Sequence, residues 1–354
     1  MNNLILSGVQ IEITSKCNFK CNFCPVSGQG GKFPLPSRKY IDENKFYEII
    51  DHIEEMRLNY LTLNFVGEPM SHPKIFDYMS YINSRNLPLM LVTNGTLTNE
   101  PTFEKMNIAG LKKLKISLQV ANQETFSQSR GVKMSYDLYI EKIIKVIKAK
   151  QQGLIDAEIY LDIAFNNTYT PVKKLLGVYG GDQHVENDKY KLAKDIRNLL
   201  FAFKDADIYH KKIHSIDELV ELIDVFNKKN GQRVDERVFI DLGSKIFLSL
   251  KNFWDHFAHE NNYPVKNAYC KPNKLIVDID GDVTVCNRDV LKSTVISNIY
   301  KDDIATVFSH VENSINKISS GNSDYDFCKY CTGAPTRRGA FIRNIINFNK
   351  IRML

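Results

Sequence analysis

The sequence predicts an α/β fold: a partial (β/α)6 barrel with a C-terminal extension made of a β-hairpin and a helix. Three observations predict it. Strand-like and helix-like runs alternate through the first half, as parallel βαβ units require. The strands are apolar at every second position and polar between, rather than continuously apolar. After Pro264 the pattern changes to short strands around a tight turn, and four of the seven cysteines fall there.

The first strand is Val9–Thr14, with period-two alternation. Asp42–Arg57 carries Phe46, Ile49, Ile50 and Ile53 at the spacing of one helix face. Tyr60–Val66 is the second strand, closed by Gly67-Glu68-Pro69, and Pro73–Asn83 is a helix opened by proline. Leu87–Thr93 is a strand ending at Asn94-Gly95, and a short helix covers Asn99–Met106. Lys113–Gln119 is the fourth strand, Asp137–Gln152 a helix stopped by Gly153, and Ala157–Phe165 the fifth strand. Ser215–Lys229 reads as a helix with Ser215 as N-cap, Glu218 closing a capping box, and Gly231 past its end. Val238–Leu242 is expected as the sixth strand with Asp241 inward, and Phe247–Phe257, which holds the only tryptophan, Trp254, as core.

Alternation sorts the faces. Val9, Ile11, Ile13, Leu61, Leu63, Phe65, Leu114, Ile116, Leu118, Ile159, Leu161 and Ile163 should pack on helices. That leaves Gln10, Glu12, Thr14, Thr62, Asn64, Lys115, Ser117, Gln119, Glu158, Tyr160 and Asp162 facing inward. Closed eight-stranded barrels fill their interior with Val, Ile and Leu. A polar inner face therefore points to an open barrel around a polar ligand. The expected organisation is a barrel over 1–263, an auxiliary unit over 264–340 and a tail over 341–354. Residues 167–214 form an insertion at the C-terminal end of strand five, the face where barrel active sites sit, so they are a candidate lid or substrate element. Asn166–Pro171 reads as a turn and Gly180-Gly181-Asp182 as a loop, with a helix over Tyr190–Phe203.

A chain of 354 residues that is 43% hydrophobic and 25% charged can bury a large core and has ordinary globular composition. The net charge of +6 is scattered, without a basic run, which argues against nucleic acid and is compatible with an anionic substrate. No basic n-region precedes an apolar segment and no apolar run nears eighteen residues, so a cytoplasmic protein without a membrane partner is expected.

The chemistry concentrates in Cys17-x3-Cys21-x2-Cys24, with Phe23 before the last sulfur. Three thiolates on one loop can converge on a metal, and iron–sulfur clusters are held by such thiolates. Zinc is the alternative, but structural zinc sites want a fourth ligand nearby and none follows in the next twenty residues.

This motif, following a first strand, resembles the radical S-adenosylmethionine (SAM) superfamily. The resemblance implies a 4Fe-4S cluster on Cys17, Cys21 and Cys24 whose fourth iron chelates SAM. It also implies reductive cleavage to a 5'-deoxyadenosyl radical, with a flavodoxin or ferredoxin as reducing partner. Val66-Gly67-Glu68-Pro69 resembles the family's G-G-E-P element, with Val66 in place of the first glycine, so Gly67 and Glu68 would hold the SAM amino group. Asn94, Ser117 and Gln119 match SAM-contacting strand ends, Arg130 resembles the arginine that pairs with the SAM carboxylate, and Phe23 would touch adenine. Cys270, Cys286 and the pair Cys328-x2-Cys331 resemble the shorter twitch form of the SPASM extension, which implies one auxiliary 4Fe-4S cluster. An all-cysteine zinc site remains open there.

The expected function is oxidation of a polar sugar-like or nucleotide-linked small molecule, with the auxiliary cluster as electron acceptor and Asp162 or Asp241 as candidate base. The layout resembles twitch-bearing aminocyclitol dehydrogenases. The second reading is a maturase-type enzyme that modifies peptides or proteins. Against it, no leader-recognition domain precedes Cys17 and the cysteines for a second auxiliary cluster are missing. A third is an electron-transfer or metal-sensing module, which would not bind SAM.

Overall fold

The computed structural model describes residues 6–24, 37–165, 188–229, 238–252, 262–286 (except 267, 269 and 271), 289 and 291–352 (except 335). Strands β1 (Gly8–Ile11), β2 (Tyr60–Thr62), β3 (Leu89–Thr93), β4 (Lys113–Gln119) and β5 (Glu158–Phe165) lie side by side in sequence order, all parallel. A hairpin follows, made of β6 (Val238–Gly243) and β7 (Ile246–Asn252), and it is β7 that continues the parallel series beside β5. Six parallel strands in sequence order, in a sheet that does not close, make the partial barrel expected from the sequence.

Helices cover the outer face. Among the described residues they are α1 (Glu43–Ile53), α2 (Ile75–Ser84), α3 (Glu100–Ile108), α4 (Gln123–Ser129), α5 (Tyr136–Gln151), α6 (Lys189–Asp205) and α7 (Ile216–Lys229). Their starts are written in the sequence. Asp42, Asn99 and Ser135 accept from backbone amides three residues on. The Ser215–Glu218 capping box forms reciprocally, with bonds of 2.6 and 3.1 Å. The alternation also holds, except at Phe65, which lies past the end of β2 and is only half-buried. Val9, Ile11, Ile13, Leu61, Leu63, Leu114, Ile116, Leu118, Ile159, Leu161 and Ile163 are at most 1% exposed and form one core with the helix faces.

Three expectations are corrected. The second strand ends at Thr62, and the chain reaches Gly67 without ladder pairing. The sixth parallel strand is β7, not Val238–Leu242, which is instead the antiparallel edge. Its turn, Ser244-Lys245, has both residues at positive φ (51° and 59°), a primed hairpin turn without the Asn-Gly that usually announces one. Asp241 consequently stands exposed on that edge, with Lys211 at 3.1 Å, not inward. Trp254, the 166–187 part of the insertion and Gly231 lie outside the described residues.

The C-terminal unit shares the barrel sheet. Strand β8 (Lys274–Val277) pairs in parallel with the free edge of β1, turns at Gly281 into β9 (Asp282–Thr284), and β9 pairs with β10 (Ser297–Asn298). Helices α8 (Ile304–Ser319), α9 (Asp326–Cys331) and α10 (Arg337–Arg352) complete it. Asp278, Asp280 and Asp282 surround the ammonium of Lys292 at 2.7, 3.3 and 2.9 Å, which clamps the hairpin.

Candidate active site and cysteine centres

The loop carrying Cys17, Cys21 and Cys24 leaves the C-terminal end of β1 and is tied down at three places. Glu68 donates its amide to Lys16 O at 2.8 Å, and Ser71 Oγ donates to the same carbonyl at 3.1 Å. Asn94 Nδ2 donates to Asn18 Oδ1 at 2.7 Å, while Asn18 Nδ2 donates to Thr96 Oγ1 at 2.7 Å. Asn22 donates its amide to Ser129 O at 3.0 Å and its side chain to Gln128 O at 2.9 Å. Two glycines permit the contact. A Cβ on Gly67 would lie 1.8 Å from Thr14 O, and one on Gly131 (φ +55°) would lie 2.0 Å from Lys20 O.

Of the sequence-predicted residues, Gly67, Glu68, Asn94 and Arg130 meet this loop. Glu68 is 3% exposed and accepts from Thr93 Oγ1 (2.6 Å), the Asn94 amide (2.8 Å) and the Met70 amide (3.2 Å). Burial raises its carboxyl above the usual range, with those bonds and the Arg130 charge pulling back. The Asn94 side chain is engaged in holding Asn18 and Thr96. Arg130 is 3% exposed, stacks its guanidinium over Phe19 at 4.7 Å and donates to Ser117 O at 3.2 Å. Phe23 is half-buried against the core. Asn18, Phe19 and Thr96 were not foreseen, because their work is to hold a loop whose path the sequence does not spell out.

Among the described residues no three cysteine, histidine or carboxylate side chains form a ready-made metal cage. The three thiols instead share one loop within electrostatic reach of each other, and the Phe19 amide donates to Cys17 Sγ at 3.4 Å. That donor set suits an iron–sulfur cluster. The surroundings fit a polar ligand beside it. Glu12 Oε1, Gln119 Oε1 and Arg130 Nε are buried polar atoms with no partner among the described residues. Buried polar atoms are costly to leave unpaired, so such a group marks where ligand atoms belong. Gln119 also holds φ at +67° beside an irregularity in the β4–β5 ladder, strain of the kind found at ligand sites.

Glu12 is 1% exposed at the end of β1. Burial and the Asp278 charge push its carboxyl up to about 8, against opposing backbone amides that include Ile279. A carboxyl with a folded pKa above its unfolded value weakens the fold as it ionises. The protein should therefore lose stability between pH 4.5 and about 8, by at most about 5 kcal/mol. Glu12→Gln should flatten this dependence, raising the urea midpoint at pH 8 while leaving it little changed at pH 4.5. An unchanged pH profile in that variant would contradict the assignment.

Of the candidate bases, Asp162 lies on the inner face and accepts from Ser249 Oγ of β7, whereas Asp241 is remote from the loop's face of the sheet. In the C-terminal unit, Cys328 interacts electrostatically with Cys331 and Cys270, and Cys286 and Cys331 pack on the small core of Val265, Ala268, Phe327, Cys328, Ala334 and Ala340. Burial is the main cause that pushes the Cys328 thiol up to about 11. Four sulfur donors around one small core suit either iron–sulfur or zinc.

Among the described residues no helix is long and apolar enough to cross a membrane. Residues 11–159 match the family model described as the Radical SAM superfamily. The AdoMet-dependent heme synthase of Methanosarcina barkeri is 30% identical over 139 residues, 39% of this chain, and the match spans only 38% of that relative's length. A probable GTP 3',8-cyclase of Saccharolobus islandicus is 24% identical over 288 residues, covering 79% of this chain and 82% of its own. The structure of Streptococcus suis SuiB bound to precursor peptide SuiA shares the fold at TM-score 0.54 and 13% identity, covering 90% of this chain and 67% of SuiB. Residues 11–159, with the three-cysteine loop near their start, are thus similar to the radical SAM superfamily, whose members are enzymes that use a 4Fe-4S cluster and S-adenosylmethionine.

Proposed function

We propose that this protein oxidises a polar, sugar-like or nucleotide-linked small molecule. The observation that carries the reading is the polar inner face of β4, β5 and β7, on which Lys115, Ser117, Gln119, Tyr160, Asp162 and Ser249 share one side of the sheet. Such a face suits a hydroxylated ligand. The match to a probable GTP 3',8-cyclase over most of the chain supports a substrate of nucleotide size and polarity. Cys17, Cys21 and Cys24 would hold the SAM cluster, and Cys270, Cys286, Cys328 and Cys331 the auxiliary one. Bound there, these groups supply a 5'-deoxyadenosyl radical for hydrogen abstraction and an acceptor for the second electron of the oxidation.

The chain's own residues do the rest. Arg130 and Gln119 offer unpaired polar atoms to SAM, with Arg130 suited to its carboxylate through a bidentate fork. Gly67 lets the backbone pass close under the loop. Asp162, which accepts from Ser249, would serve as the base that takes the substrate's proton. The test is anaerobic iron and sulfide content of the wild type beside a Cys17/Cys21/Cys24→Ala variant, with 5'-deoxyadenosine assayed on reduction. About eight irons should fall to about four, and 5'-deoxyadenosine should disappear. Four irons plus one zinc in the wild type would remove the electron acceptor, and no 5'-deoxyadenosine at all would overturn the reading.

A further inference from the structure

The cations of this chain are scattered but offset by carboxylates up to its last stretch. Residues 327–354 hold six lysines and arginines and no acidic residue, which accounts for the whole net charge of +6. More than half of that stretch is helix α10 (Arg337–Arg352). A surface helix normally buries its apolar side, and this one is reversed. Ala340, Asn344 and Asn347 share one face at i, i+4 and i+7, and that face meets the protein. Ala340 is buried in the small core with Val265, Phe327 and Cys328, Asn347 is buried, and Asn344 Oδ1 accepts from the Lys266 amide at 2.7 Å. Phe341, Ile345 and Ile346 lie roughly opposite and are 66%, 49% and 45% exposed. Arg337 and Arg338, both exposed, open the helix, and the Arg337 guanidinium lies over the exposed ring of Tyr263 at 5.6 Å. The outer face is thus apolar in its middle and cationic at its start.

Such a face is stabilised by being covered, and possible occupants differ in fit. A second copy of the chain would bring two cationic helices together, with no carboxylate in 327–354 to offset them. A protein partner needs roughly 800 Å² on each side of a standard interface. This helix of 16 residues is about 24 Å long and about 10 Å wide, so its outer face offers on the order of a few hundred Å². An anionic bilayer sets no such minimum and needs no matching shape. It takes apolar side chains at the boundary between headgroups and acyl chains, and it holds neighbouring arginines by charge.

We propose that the outer face of α10 docks on an anionic lipid surface, with Phe341, Ile345 and Ile346 entering the lipid and Arg337 and Arg338 at the headgroups. The helix rests on the bilayer and does not cross it. A resting helix carries no long apolar run, so the lack of one in the sequence does not bear on it. Ala340 packs with Cys328 on the opposite side, so α10 stands between the bilayer and the small cysteine-bearing core.

The test sediments the full chain, reconstituted anaerobically, with vesicles of phosphatidylcholine alone or mixed with phosphatidylglycerol at about 3:1. The wild type should bind the mixed vesicles and release them as salt rises. Each cation at the surface contributes about fivefold, so Arg337→Ala/Arg338→Ala together should weaken binding by roughly 25-fold. Phe341→Ser should weaken it by roughly tenfold or more. The emission of Phe341→Trp should shift to the blue on the mixed vesicles, which places this face in the lipid. All three positions are exposed, so the variants should unfold at the same urea concentration as the wild type. No binding to the mixed vesicles, or binding that Phe341→Ser leaves unchanged, overturns the proposal. If the vesicles are ignored, a dimer that Phe341→Ser dissolves assigns the face to a second copy. Affinity for an acidic ferredoxin that the same variant loses assigns it instead to a protein partner.

Discussion

Gly67→Ala should leave a protein destabilised by about 3 kcal/mol that binds less iron than the wild type. The added Cβ would sit 1.8 Å from Thr14 O, 2.8 Å from Thr14 C and 3.2 Å from Lys16 O, all backbone atoms that cannot swing aside as a side chain would. Relief requires moving the chain on either side of the contact. One side is the first strand's exit into the cysteine loop; the other is Glu68, whose amide holds Lys16 O and whose carboxylate holds Thr93 and Asn94. Either movement breaks the tie that positions Cys17. Urea denaturation and iron content after anaerobic reconstitution check this together. Gly153→Ala is the control: its φ is +77° but nothing lies within 4 Å of the new Cβ, so it should cost only about 1 kcal/mol and leave the iron content unchanged. Equal iron in Gly67→Ala and wild type would mean that the loop does not depend on this contact.

Lys292→Met should destabilise the protein by about 3–5 kcal/mol at neutral pH, because it strands three carboxylates around a vacated ammonium. The lysine side chain is 18% exposed and that of Asp278 is 7% exposed, so water replaces the lost partner poorly. The ammonium is held above the usual lysine range by the Asp278 and Asp282 bonds, against its own desolvation. A lysine pKa raised on folding contributes stability that is fully present below its unfolded value of 10.5, so the wild type keeps this clamp across the physiological range. In the variant the deficit should shrink as pH falls and the aspartates protonate. Asp280 matters beyond the hairpin, since its carboxylate also accepts from the Ser37 amide (3.0 Å) and hydroxyl (2.7 Å). Urea titrations at pH 7.5 and pH 4.5 measure the effect; a deficit that stays constant with pH would place its origin in packing rather than charge.

The fold was legible where alternation was unbroken. Lys113–Gln119 formed the strand expected, and its Leu114, Ile116 and Leu118 went to the core as the period of two requires. The sixth strand was misplaced because Ile246–Asn252 is joined to its neighbour by Ser244-Lys245, a turn that lacks the usual residues for positive φ. With that strand hidden, Phe247, Ser249 and Lys251 could not be put on one face, and Asp241 took their place in the reading. The cysteine loop's position beside Glu68 and Arg130 was readable as a motif. The ties through Asn18, Asn22 and Thr96 were not, since side-chain-to-loop bonds between distant segments leave no period in a sequence. Arg130 illustrates the division: its presence was legible, but its stacking on Phe19 depends on two segments meeting.

The parallel pairing of β1 with β8 sets a timetable for synthesis. Ser7, at the start of that seam, donates its hydroxyl to Asn273 O, a partner 266 residues later in the chain. At translation speeds of about 5–20 residues per second, the ribosome needs roughly 13–50 s to make the intervening stretch. Until then the strand leading into Cys17 has a bare edge, which is a template for pairing with the wrong chain. Closing so long a loop is also slow compared with forming local helices. The first strand to leave the ribosome is thus among the last to be completed. Its edge stays open to mispairing until β8, Lys274–Val277, has been made.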